Sequence, residues 1–459
     1  RDLRNGTATT PGPPFANPSL RGISPRFGFA WDVRGNGRTA IRGGFGLLYD
    51  IANYGYQLRS LCIPPFCGTS QVLNPGPLTL PLVFPQGIAG RSLTQLEYDL
   101  QQPHMLQYNL TVERQLPADM ALTLAYGGSR GINVYRLSQG NPSVPQIQAD
   151  GRKFWPNNAP RFNPNFDSIT LYEAAGDSWY NSLQFALIKR LSKGLQFQSS
   201  YTWSKAINTQ PGRGSGDSNN SAQTMADPLD SRRERGLSPF DISHNWRFNA
   251  IYRLPQFVGA DGVMGKLLNG WGTAGILTLQ TGYPFGPVLN TNHSRNGVGG
   301  GGSRADRPDL VPGRKYPEIT SGTTAGCTGV AEGQKLGTPD LWYDPCAFTL
   351  QPQGFLGNSG RNILRGPGLA TVDFSLTKDT ALRFLGESGN LQFRADIFNI
   401  FNRPNFITPG LGVGGTNTAA ILFPGGGGAT AGRPLVSAGR LTDTATTSRQ
   451  IQLALRIVF

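Results

Sequence analysis

The feature that most limits what this chain can fold into is a period-two alternation of polarity, repeated along its whole length. Leu195, Phe197, Ser199, Tyr201 and Trp203 alternate with Gln196, Gln198, Ser200, Thr202 and Ser204. An extended strand there is apolar on one face and hydrogen-bonding on the other. Just upstream, Leu183, Phe185 and Leu187 alternate with Ser182, Gln184 and Ala186, and only Ser192-Lys193-Gly194 separates the two runs, which predicts a hairpin. The pattern predicts eleven strands, near 26–33, 38–50, 104–116, 120–129, 179–191, 195–206, 244–253, 270–282, 369–382, 390–401 and 450–459. In the first hairpin the Asn36-Gly37 step supplies the positive φ angles a tight turn needs.

The connections sort into two kinds that alternate without exception. Those at 34–37, 117–119, 192–194, 254–269 and 383–389 are short, while 51–103, 130–178, 207–243, 283–368 and 402–449 are long and together exceed half of the chain. One edge of the sheet therefore carries tight turns and the other carries all the bulk. Loops beyond about 15 residues are uncommon in compact domains unless functional. A membrane barrel has a reason for the asymmetry, because its periplasmic turns are short and its extracellular loops long. The expected fold is thus all-β, an antiparallel up-and-down transmembrane β-barrel wall. Phe197, Tyr201, Trp203, Phe374 and Phe393 would face lipid, and Tyr49, Tyr126, Tyr201, Trp203, Trp246 and Trp271 would form interfacial girdles. A soluble one-sided sheet explains the alternation but not the loop asymmetry.

Composition agrees and narrows the function. Among 459 residues, 61 Gly and 35 Pro are about a fifth of the chain, against a usual ~12%. Charged residues are 15%, low against the ~25% of globular proteins, which excludes a helical bundle or coiled coil. No run of 18 apolar residues exists, so no transmembrane helix is expected. The net charge of +14 raises nucleic acid as a partner, but the basic residues are scattered. The densest group, Arg232, Arg233 and Arg235, is interrupted by Glu234 and belongs to no nucleic-acid module. There is no Gly-x-Ser-x-Gly, His-Glu-x-x-His, P-loop or dinucleotide fingerprint, so neither an enzyme nor a cofactor is expected. Cys62 and Cys67, and Cys327 and Cys346, form two local pairs in Gly/Pro-rich stretches that suit loop disulfides in an oxidising compartment. A zinc site is the alternative, but none of His104, His244 and His293 lies near a cysteine.

Four segments resemble the C-terminal half of a TonB-dependent outer-membrane receptor of the Oar-like branch common in acidobacteria. They are Ser24 to Asp32 with Ile41 to Gly46; Gly357-Asn358 with Arg361-Asn362-Ile363-Leu364-Arg365-Gly366-Pro367-Gly368; Phe393 to Asn402, which carries Phe-Asn-x-Phe-Asn; and Gln450 to Phe459. The resemblance implies a gated importer in the outer membrane of a Gram-negative bacterium, with a 22-stranded barrel of which this chain supplies the last eleven strands. Residues 1–25 would end an extracellular loop and 26–459 would be barrel. Plug, energy-coupling segment and the other strands would lie upstream. The C-terminal Phe459, with apolar residues at every second position before it, looks like the signal by which the barrel-assembly machinery recognises such barrels. Expected partners are outer-membrane lipid and lipopolysaccharide, that machinery, the TonB complex acting through the upstream part, and a transported ligand the residues do not name. An adhesin or secretion-linked barrel without energised import is the alternative, and a secreted glycan-binding β-protein is a third reading.

Two groups of residues are candidates for function. Arg42, Glu113, Arg247, Arg253, Asp373, Arg394 and Asp396 fall on the polar parity of their strands, where they would face the lumen. Such charges must be paired when buried, so they either brace the wall against a plug or touch substrate. Trp155, Trp342 and Tyr343 in the long loops could stack on a sugar or aromatic ligand, or anchor the packing of the loops themselves.

Overall fold

The computed structural model describes residues 16, 22–50, 93–164, 166, 168–209, 225–259, 262–298, 306–382, 386, 389–409, 420–424 and 431–459. Eleven antiparallel strands follow one another in chain order across a single sheet. We number them β1 (Arg26–Asp32), β2 (Thr39–Tyr49), β3 (His104–Leu116), β4 (Met120–Gln139), β5 (Ile169–Ser192), β6 (Leu195–Asn208), β7 (His244–Arg253), β8 (Trp271–Gln280), β9 (Leu369–Ala381), β10 (Asn390–Phe398) and β11 (Gln450–Val458). β1 and β11 end the order and do not pair with each other. Among the described residues no helix is long and apolar enough to cross a membrane.

The register carries each face across the sheet unbroken. Ile41 pairs with Val112, Val112 with Leu124, Leu124 with Phe185, Phe185 with Tyr201, Tyr201 with Trp246 and Trp246 with Leu279. Directly opposed residues share a face, so this is one apolar surface. Among the described residues it is open: Phe27 is 68% exposed, Trp203 56% and Leu453 68%. An apolar surface of that extent left open marks an interaction with membrane or partner. Leu124→Arg should therefore cost about 2–4 kcal/mol in a bilayer. Thr123→Arg, on the polar face, should cost much less; equal losses in urea unfolding from vesicles would contradict the two-faced wall.

Turn chemistry sets the short edge. Asp32 accepts the backbone N–H of Gly37 at 2.6 Å and closes the first turn, and the positive φ angles there belong to Gly35 and Gly37 rather than to Asn36. Two expectations about connections need correction. β4 and β5 run well past 129 and start well before 179, because a bulge near Gly131 and Val134 shifts the register. Asn133 takes φ 55° there, and this irregular stretch interrupts the simple alternation while pairing continues to Gln139. The connection 254–269 contains a helix, Gly262–Leu268.

The hydrophobic core does not lie under the sheet. It lies within the long connections, where Phe285, Leu289, Ile319, Tyr343, Phe348, Leu364, Leu422 and Phe423 form one buried cluster. Short pairings tie these connections together: Pro284–Phe285 with Leu364–Arg365, Val288–Leu289 in parallel with Ile421–Phe423, and Asp309–Leu310 with Phe348–Thr349. A smaller cluster of Leu96, Leu100, Tyr135, Tyr172 and Ala174 packs on the extension of the β4–β5 hairpin. The described parts of the connections after β8 and β10 are thus a folded body with its own core.

Candidate functional site

The polar face of the sheet holds all seven charges singled out from the sequence. Register continuity places Arg42, Glu113, Arg247, Arg253, Asp373, Arg394 and Asp396 on the side opposite the apolar band. The structure brings some of them together. Arg42 meets Glu113 at 3.0 Å, and Arg394 meets Asp396 at 2.8 Å. Arg247 instead donates to the neutral oxygens of Asn245, Thr278 and Gln280 at 2.9–3.1 Å. Asp373 accepts the backbone N–H of Asn399 at 2.8 Å, and Arg253 stands at the short-turn end of β7. The wall is therefore a braced polar surface. At its short-turn edge a cleft of about 680 Å³ is lined by Arg38, Arg42, Glu113 and Arg190, among others. The Arg42 and Glu113 side chains are 56% and 38% exposed, so a double-mutant cycle on them should return only about 0.2–1 kcal/mol of coupling. A value several times larger, read from urea titrations, would mean the pair is desolvated in the membrane-inserted protein.

The loop aromatics are placed differently. Trp155 is 1% exposed and donates its indole N–H to the carbonyl of Ser143 at 2.9 Å. Tyr343 is fully buried between Phe285 and Phe348, and burial pushes its phenol above the usual range. Trp342 is partly buried and donates to the carbonyl of Arg365 at 2.8 Å. Trp155 and Tyr343 present no ring face to a ligand; all three anchor the packing of the loops. Cys327 and Cys346 form a disulfide. Cys62 and Cys67 lie outside the described residues.

The most heavily built polar site went unseen in the sequence. Glu234 is completely buried, and Arg307 holds its carboxylate with two bonds of 3.1 and 3.2 Å. The backbone N–H of Ala226 donates to the same carboxylate at 2.9 Å. Arg361 donates to the Glu234 carbonyl at 2.8 Å and to the Asn208 carbonyl, at the end of β6, at 2.7 Å. Burial lowers the Arg361 guanidinium to about 10, with Glu234 opposing and Arg307 adding to the shift. Beside them Asp306 is buried, which pushes its carboxyl up, against the N–H and O–H of Ser294 that bond it. Arg233 is half-buried and donates to the Gly357 carbonyl at 2.5 Å; Arg232 remains exposed.

The resemblance segments acquire structural roles here. In Arg361 to Gly368, Leu364 enters the core and Arg365 pairs with Asp241 and Ser243. A Cβ on Gly368 would approach the Gln280 carbonyl at 2.5 Å, so only glycine lets the chain pass against β8. In Phe398 to Asn402, Asn399 and Asn402 take φ of 48° and 51°. Asn399 reaches the carbonyls of Arg403 and Thr447, and Asn402 accepts the N–H of Arg449. This turn fixes the entry of β11.

A family model described as an outer membrane beta barrel domain matches residues 3–452. The chain belongs to that family. It is accordingly a protein of the bacterial outer membrane. A search of curated proteins finds no match. Among solved structures, the outer membrane transporter YddB from Escherichia coli aligns at 12% identity, covering 95% of this chain and 40% of its own, with a TM-score of 0.48. The FrpB iron transporter from Neisseria meningitidis aligns at 9%, covering 95% and 39%, with a TM-score of 0.38. The siderophore receptor PiuA from Acinetobacter baumannii aligns at 8%, covering 94% and 35%, with a TM-score of 0.37. The chain thus spans well under half the length of these proteins.

Proposed function

We propose that this chain forms half of the wall and the external mouth of a TonB-dependent outer-membrane transporter. One observation carries the reading: the long connections follow alternate strands and so leave one edge of the sheet, and among the described residues those after β8 and β10 pack into a body with its own core. In that arrangement the loop body is extracellular, the braced face of Arg42, Glu113, Arg247, Arg394 and Asp396 lines the lumen against a plug, and the short turns are periplasmic. Among the described residues the outer edges of β1 and β11 have no strand partner, which supports a half barrel, since open edges do not occur in the hydrocarbon region and need further strands to close them. The exposed Arg232 would meet lipopolysaccharide phosphate, and the apolar final strand with Phe459 would serve barrel assembly.

Single cysteines test the orientation on intact cells. Arg232→Cys should react with a membrane-impermeant maleimide, while Lys193→Cys, in the β5–β6 turn, should react only after permeabilisation. The reverse pattern would overturn the assignment of sides. Energised import further requires that the protein crosslink in vivo to the inner-membrane energy transducer; correct orientation with no such crosslink would favour an adhesin or secretion-linked barrel.

A further inference from the structure

We infer that the β7–β8 connection is an interfacial membrane anchor that lies along the phospholipid headgroups at the short-turn rim of the wall. The helix Gly262–Leu268 carries Val263, Met264, Leu267 and Leu268. At about 100° per residue these fall within an arc of roughly 140°, and Gly265 and Lys266 lie on the other side. The four are exposed, Val263 at 74% and Met264 at 61%. Phe257 and Val258, just before the helix, are exposed as well. A solvent-facing turn has no use for six open apolar side chains in one short stretch.

These side chains are held, not loose. The Asn269 side chain accepts the N–H of Phe257 at 2.8 Å and donates to the carbonyl of Val258 at 2.8 Å, pinning the segment before the helix to the residue after it. Gly270, at φ 82°, receives the N–H of Asp379 at 2.9 Å and so docks the connection on β9.

Two contacts fix which side of the sheet the helix occupies. Trp271 and Lys378 are directly paired and lie on the apolar face. The Trp271 indole donates to the Leu267 carbonyl at 2.9 Å, and the Lys378 ammonium donates to the Asn269 carbonyl at 2.5 Å. The C-terminal end of the helix therefore stands outside the wall, continuous with the band that meets lipid. An amphipathic helix at such a boundary buries its apolar face at the headgroup level. Lys266, exposed beside that face, complements the phosphate of an anionic glycerophospholipid. The occupant is thus a phospholipid leaflet. That it is the periplasmic one rests on the orientation proposed above.

Bromolipid quenching tests this in the whole protein reconstituted into phosphatidylethanolamine–phosphatidylglycerol vesicles. Bimane on Met264→Cys, after subtraction of the wild-type signal, should lose emission most to acyl chains brominated near the headgroup. Phe185→Cys, on the apolar face of the wall, should be quenched most by bromines placed deeper, and Asn36→Cys, in the β1–β2 turn, should not be quenched. Quenching at Phe185→Cys with none at Met264→Cys overturns the anchor and leaves the wall intact. Loss of quenching at Phe185→Cys as well overturns the lipid-facing wall itself.

Discussion

Glu234→Ala is expected to destabilise the loop body by about 3–5 kcal/mol, the range for breaking a buried ion pair by removing one partner. The Arg307 and Glu234 side chains are 6% and 1% exposed, so neither solvent nor salt can replace the lost carboxylate. Arg307 and Arg361 would be left as neighbouring buried cations, with the Ala226 N–H also unpartnered. Glu234→Gln should fall between, since it keeps an acceptor and removes only the charge. The measurement is thermal unfolding in detergent followed by proteolysis of the loops, with the strand signal recorded in parallel. Early exposure of the loops above an intact sheet is the expected result; a shift worth under about 1 kcal/mol, as for a surface pair, would mean that the cluster is hydrated.

Phe423→Ala should cost a similar amount by another route. Removing a buried aromatic ring costs about 3–5 kcal/mol through lost transfer energy and the cavity left behind. Phe423 is 1% exposed and sits on the three-residue strand Ile421–Phe423, which joins the last long connection to Val288 and Leu289 in the one before. The ring therefore holds two connections together. Loop protection should fall while the wall stays inserted, and Phe423→Leu should lose less because it keeps most of the apolar volume. Simultaneous loss of loops and strands would instead show that the sheet depends on the loop body for its own stability.

The wall was legible because its physics is local. Side chains alternate across a strand, and an apolar face opposite a polar one writes that alternation into Leu195 to Ser204 and Gln450 to Phe459 alike. Which edge carries the long connections was readable for the same reason, though not where the one between β4 and β5 begins and ends. Tyr343 and Trp155 were not, because a loop aromatic awaiting a ligand and one buried in a core have the same sequence. Glu234 was obscured by its neighbours: Arg232, Arg233 and Arg235 make a charge run that reads as solvated, and only the fold turns Glu234 inward onto Arg307, 73 residues away. The four-residue spacing of Arg361 and Arg365 in one resemblance segment was the available signal, since both reach out of the loops to the ends of strands.

What the sequence determined by itself was the two-faced, one-edged sheet, because strand polarity and turn length depend on residues within a few positions of one another. What only the tertiary structure decided was that the long connections form a body with a hydrophobic core and a buried carboxylate–guanidinium centre. It also decided that a helix in a short connection stands on the apolar side of the wall. Those features depend on contacts between segments distant along the chain, where no periodicity records which partner a side chain meets.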